Sequence, residues 1–132
     1  MNVAIVGATG YGGIQAVNLL KDNKNYKITY LGGNKSSGSK WSDHFPFMKF
    51  ESDNLIERIS IESIADKAKI ALLCLPNGIS STLTRGLLEK GVKVIDLSAD
   101  YRYKSLDQWK KVYSNEAAIY KRVDDDLCKE AV

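Results

Sequence analysis

Three stretches of the chain bring together residue types that could do chemistry. The first is Gly7-Ala8-Thr9-Gly10-Tyr11-Gly12-Gly13. Glycines spaced G-x-x-G-x-x-G permit positive φ in a tight turn and remove the Cβ atoms that would obstruct a bound group. Where such a run opens a helix, first-turn amides and the positive end of the helix dipole face outward. That suits an anion, and a pyrophosphate above all. Gly7, Thr9, Gly10, Tyr11, Gly12 and Gly13 are therefore candidate cofactor-binding residues. A strand-to-helix turn that holds no ligand is the competing reading.

The second stretch is Leu75-Pro76-Asn77-Gly78, and the third is Asp96-Leu97-Ser98-Ala99-Asp100-Tyr101-Arg102. Each follows an apolar run. In doubly wound sheets, ligands sit beyond the carboxyl ends of the strands. Leu75, Pro76 and Asn77 are thus expected beside a cofactor. Ser98 and Arg102 are candidate substrate-facing residues, because a guanidinium can hold a phosphate or carboxylate bidentately. The plainer alternatives are an ordinary β-to-α turn, and an Asp96 or Asp100 that caps local backbone and pairs with Arg102.

The elements that must position these residues alternate. Val3 to Val6 is a short apolar run in the form of a buried strand, and Tyr11 to about Asp22 is helical. Ile14, Val17 and Leu20 recur on one face of that helix, with Ala16 and Leu19 widening it. Tyr26 to Leu31 reads as a strand. Asn34 to Phe50 is loop-like, and Leu55 to Ile61 alternates weakly as a strand. Ile70 to Leu75 is a buried strand. A helix carrying Ile79, Leu83 and Leu87 ends at Gly91. Val92 to Leu97 is another buried strand, and Ser105 to Tyr113 is a helix with Ser105 as N-cap. The pattern predicts an α/β fold: a Rossmann-like, doubly wound, mainly parallel sheet with crossover helices. Fully apolar strands fit a sheet covered on both faces.

The second strand ends at Gly32-Gly33, followed by Asn34-Lys35-Ser36-Ser37-Gly38-Ser39-Lys40. NAD-specific sites carry an acid there for the ribose 2′-OH. This stretch has no acid and offers cations and hydroxyls, so Ser36 and Ser37 are candidate partners of a 2′-phosphate, and NADP is the expected cofactor. An ordinary solvated loop is the alternative.

The 132 residues amount to one domain, large enough for a substantial core. A composition 44% hydrophobic and 27% charged is that of a globular chain. No apolar run approaches the roughly 20 residues of a membrane span. Nineteen Lys and Arg against sixteen Asp and Glu leave +3, without the basic stripe of a nucleic-acid binder. His44 is the single histidine, so no zinc-type spacing exists. Two scattered cysteines, Cys74 and Cys128, and no signal-like N-terminus fit a reducing cytoplasm.

The three stretches, in this order, resemble N-acetyl-γ-glutamyl-phosphate reductases. The matching segments run from Val3 to Gly13, from Leu75 to Ser80 and from Ile95 to Arg102. The last is the most specific. Weaker similarity continues through Trp109 to Tyr113 and from Asp126 to Val132. Aspartate-semialdehyde dehydrogenases share the glycine loop but match the later segments poorly. The resemblance implies an NADPH-dependent reduction of a small-molecule acyl phosphate to N-acetylglutamate 5-semialdehyde. A cysteine forms a thioester and a histidine acts as acid and base. The family's cysteine sits in a Gly-Asn-Pro-Gly-Cys-Tyr-Pro-Thr type motif that is not found up to Val132. Neither Cys74, inside a strand, nor Cys128, without flanking glycine and proline, matches it, and His44 reads as a loop residue. Gly12 stands where the family often has a bulkier residue, and Ile14-Gln15 replaces a common small-acidic pair.

The expectation is a dinucleotide-binding domain over residues 1–132, with the catalytic and dimerisation domain beyond Val132. The end at Val132 then reads as a cut. This part alone is expected to be inactive, and the whole enzyme to be a homo-oligomer. Two alternatives stay open: a related reductase of aminoadipate type, and a stand-alone dinucleotide sensor.

Overall fold

The computed structural model describes residues 1–50 and 55–113; Cys128 and the segment from Asp126 to Val132 lie outside them. Four strands, β1 (Asn2–Val6), β2 (Lys27–Gly32), β3 (Ile70–Leu73) and β4 (Lys93–Asp96), form one sheet in the order β2-β1-β3-β4. Every pair is parallel. Among the described residues five helices accompany them: α1 (Tyr11–Leu20), α2 (Trp41–His44), α3 (Ile61–Lys67), α4 (Ser80–Glu89) and α5 (Leu106–Val112). This is the expected α/β architecture. The chain leaves β1 towards β2, then crosses back to β3 on the other side. That reversal creates a crevice at the carboxyl ends of β1 and β3.

β1 lies at the centre because its residues are apolar on both sides. Ala4 and Val6 pack with Ile64 of α3 and Leu87 of α4, whereas Ile5 packs with Ala16 and Val17 of α1. A bulge opposite Val3 and Ala4 leaves Thr29 unpaired in register. It resets the alternation, so that Ile28 faces the α1 side and Tyr30 the α3 side.

Four expectations are corrected. Leu19 does not widen the apolar face of α1; it is 76% exposed, and Gly13, Ala16 and Val17 are buried instead. The segment from Leu55 to Ile61 is no ladder strand. It makes single bridges from Leu55 to Lys40 and from Glu57 to Gly32, extending the end of β2. It then turns into α3, whose N-cap Ser60 accepts from the Ser63 amide. The stretch from Asn34 to Phe50 contains α2, which buries Trp41. Among the described residues β4 is an edge strand with only one face covered: Val94 packs against the α3 and α4 side, but Ile95 and the following Leu97 are about half exposed.

Candidate active site

The crevice begins at the glycine loop. Gly7 has φ +83°, and a Cβ there would lie 2.3 Å from the Cys74 carbonyl oxygen. A Cβ on Gly13 would lie 2.1 Å from the Gly7 carbonyl oxygen. Only glycine lets α1 approach the turn this closely. The amides of Gly7 and Ala8 both donate to the Gly32 carbonyl, at 2.8 and 3.0 Å, tying the loop to the end of β2. A further brace comes from Trp41, whose Nε1 donates to the Ala8 carbonyl at 2.7 Å while its ring is buried beside Phe45 and Phe50.

The N-terminus of α1 is left open. Its N-cap, Gly10, has no side chain to cap it, and the first turn holds no acid. The first-turn amides have no intrahelical acceptor. Glycines at 10, 12 and 13 leave bare backbone around them. A pyrophosphate fits this cradle in charge and in shape. Tyr11 is almost fully exposed at its rim. Thr9 Oγ1 and Ser36 Oγ lie 3.5 Å apart, so the fold brings those two candidates together across 27 residues. Ser37 is exposed in the same turn, as are Lys35 and Lys40. Ser39 faces elsewhere: its hydroxyl bonds the Ser36 carbonyl and His44 Nε2.

Leu75, Pro76 and Asn77 follow β3, with Leu75 beside Gly7. Asn77 Oδ1 accepts from the Ala99 amide at 2.8 Å. In the third stretch Asp96 accepts from both the amide and the hydroxyl of Ser98, at 2.8 and 3.0 Å. The Ser98 hydroxyl accepts in turn from the Asp100 amide at 3.1 Å. Ser98 is therefore engaged inside its own loop. Asp100, fully buried, accepts from the amides of Gly78 and Ser81. Both carboxylates cap backbone, whereas Arg102 is exposed and donates to Tyr113 Oη at 3.0 Å.

Burial raises the Asp96 pKa, against the lowering effect of the Ser98 amide and of the Ser80 and Ser98 hydroxyls; the nearby Asp100 charge adds to the rise. Ser80 Oγ is buried and has no well-aligned hydrogen-bond partner among the described residues. It is still near enough to favour the charged form of Asp96. Burial first, and then the Asp96 charge, push the Cys74 thiol up to about 11. A thiol so shifted is a poor nucleophile near neutral pH. His44, expected in a loop, is the exposed last residue of α2, bonded to Ser39. No group of three or more metal-ligating side chains occurs among the described residues, and none of their helices is long and apolar enough to cross a membrane.

Sequence reasoning missed Trp41 and α3. The brace from Trp41 reaches a carbonyl 33 residues away, and no local pattern announces it.

The parallel sheet, the reversal at β1 and the glycine cradle define a Rossmann-like dinucleotide-binding domain. Comparison with known proteins agrees. The family model "Semialdehyde dehydrogenase, NAD binding domain" matches residues 2–126, and the chain belongs to that family. It is 87% identical over all 132 residues to the N-acetyl-γ-glutamyl-phosphate reductase of Prochlorococcus marinus subsp. pastoris, and 50% identical to that of a second, more distant strain of the species. The chain spans 38% and 37% of the lengths of these relatives. Among solved structures, aspartate semialdehyde dehydrogenase II from Vibrio cholerae superposes with a TM-score of 0.60 at 26% identity, over 77% of this chain and 29% of that one. The Candida albicans enzyme gives 0.65 at 21% identity, over 76% of this chain and 30% of that one, a likeness of fold.

Proposed function

We propose that residues 1–132 form the NADP-binding domain of an N-acetyl-γ-glutamyl-phosphate reductase, which makes N-acetylglutamate 5-semialdehyde from the acyl phosphate. The open, glycine-built N-terminus of α1 at the strand-order reversal carries the nucleotide half of this reading. The names of the relatives supply the substrate half.

Bound NADPH would supply a hydride to the carbonyl carbon of the substrate. The chain's own residues bind and orient. Amides at the start of α1 hold the pyrophosphate, and Gly7, Gly10, Gly12 and Gly13 give it room. Thr9, Ser36 and Ser37 offer hydroxyls to a 2′-phosphate, with Lys35 and Lys40 adding charge. Leu75, Pro76 and Asn77 line the crevice beyond β3. Arg102 holds an anionic group of the substrate, and Ser98 supports the loop that carries it. The nucleophilic cysteine and the acid-base histidine belong to a catalytic domain C-terminal to Val132; the raised pKa of Cys74 argues against its serving as a substitute. The whole enzyme works as a homo-oligomer in the cytoplasm, where Cys74, free in this fold, stays reduced.

Titration of the purified chain decides the cofactor. NADPH should bind more tightly than NADH, and the reverse order overturns the NADP assignment. The chain alone should not turn over N-acetyl-γ-glutamyl phosphate; measurable turnover would refute the two-domain reading. In the longer enzyme, Arg102→Ala should raise the KM for the acyl phosphate, and an unchanged KM removes Arg102 from the substrate site.

A further inference from the structure

The turn after β3 and the loop after β4 are bound to each other in both directions. Asn77 Oδ1 accepts from the Ala99 amide at 2.8 Å. Asp100 returns the contact: Oδ1 and Oδ2 accept from the Gly78 amide at 2.8 and 3.1 Å, and Oδ2 also accepts from the Ser81 amide at 3.0 Å. Gly78 has φ +100°, a conformation that glycine tolerates and that suits its place in this turn. From the other side, Trp109 Nε1 donates to the Ala99 carbonyl at 2.7 Å. Asp100, Ala99 and Trp109 are all essentially fully buried. They cannot touch a ligand in the crevice, so any effect they have on one is indirect.

Among the described residues β4 is an edge strand with one face uncovered, and these bonds fix the loop that follows it. The glycine loop touches the Cys74–Leu75 end of the turn after β3, but its own hydrogen-bonded braces are different ones, the Gly32 carbonyl and Trp41. The two ends of the crevice are thus braced by different bonds.

We propose that Asp100 is a positioning residue: by clasping the Pro76–Gly78 turn to the Ala99–Arg102 loop, it sets the nicotinamide end of the cofactor against the substrate-anchoring loop without contributing to the grip on the adenosine end. This rests on the NADP reading above. The step it serves is one of geometry, and small displacements of a reacting atom cost rate steeply. Asp100→Asn keeps the size of the side chain but replaces one acceptor oxygen by a donor facing an amide.

The test uses the full-length reductase and two ligands, NADPH and 2′-phospho-ADP-ribose, which lacks the nicotinamide. For Asp100→Asn, the Kd of 2′-phospho-ADP-ribose should stay within about twofold, while kcat at saturating NADPH falls about tenfold or more. The primary deuterium isotope effect with 4-deuterated NADPH should rise, because hydride transfer becomes more rate-limiting. Trp109→Phe, which removes the Ala99 tie and keeps the carboxylate, should move the same readouts in the same direction by less, and it carries the test if Asp100→Asn does not fold. Equal weakening of both ligands, with kcat and the isotope effect unchanged, would make the clasp merely structural and overturn the proposal. If the unmodified enzyme binds neither ligand, the NADP reading itself fails, a result distinct from either.

Discussion

Two helices of the molecule begin at the same edge of the sheet, and their N-termini are treated in opposite ways. α1 starts at Gly10 with no side-chain cap and no acid in its first turn. α4 starts beneath the buried carboxylate of Asp100, which accepts from Gly78 and from Ser81. Both ends carry the same partial positive charge. One is neutralised from within and serves as a joint between loops. The other is left without a side-chain cap or an acid. In the proposed reading, a helix start becomes a phosphate site by what is withheld from it as much as by what is supplied.

The largest effect should follow from Gly13→Ala. Its Cβ would overlap the Gly7 carbonyl and Ala8 backbone atoms, so α1 must move off the turn. Denaturant unfolding should show a loss of roughly 4 kcal/mol, and calorimetry no NADPH binding. Emptying the other end is next. Asp100→Ala leaves buried amides without their charged acceptor and should cost about 3 kcal/mol in the same unfolding experiment. The third substitution makes α1 resemble α4. A Cβ on Gly10 meets only ordinary contacts, the nearest at 3.5 Å. Gly10→Asp should therefore leave Tm equal or slightly higher, since Asp is the better N-cap. The NADPH Kd should rise about 30-fold, because a carboxylate then occupies and repels. If affinity survives, the cradle is not where the pyrophosphate sits.

The smallest effect concerns Asp96, beside the filled end. Burial raises its pKa, so the charged form is disfavoured in the fold. Its contribution to stability is fully present below the unfolded pKa and fades as pH rises through the raised folded value. Measured from pH 3 to 7, the wild-type chain should therefore lose stability relative to Asp96→Asn as pH rises. A gain with pH would mean that the Ser98 bonds outweigh burial.

Much of the open end was legible in the sequence, and much less of the filled one. Glycine spacing between an apolar run and a helical periodicity is a local pattern, and Gly7 to Gly13 form the loop that it implied. Ser105 as N-cap of α5 is equally local and holds, accepting from Gln108. Cys74 is set aside as a nucleophile because it lies in an apolar run and does not match the cysteine motif of the family the chain resembles, and burial is the leading cause of its raised pKa. The contacts of Asp100 join residues 19 and 22 positions away, so the sequence could only offer backbone capping as one reading among several. α3 escaped notice because seven residues give too few repeats for helical spacing to outweigh the apparent alternation of Ile59 and Ile61. β4 looked buried because Val92, Val94, Ile95 and Leu97 in and around it are apolar; which face a neighbour covers is decided by chain topology, and among the described residues only the α4 side is covered.

The central place of β1 has a consequence for the order of assembly. Of the four strands β1 is made first, yet it must pair with β2 on one side and with β3 on the other, and Val3 meets Ile70. A parallel neighbour so distant in sequence carries a loop-closure cost before any ladder bond is gained. β1 therefore waits, half satisfied, until β3 has followed it from the ribosome. The glycine loop that follows it acquires its fixed shape only when Gly32 and Trp41 have arrived to hold it.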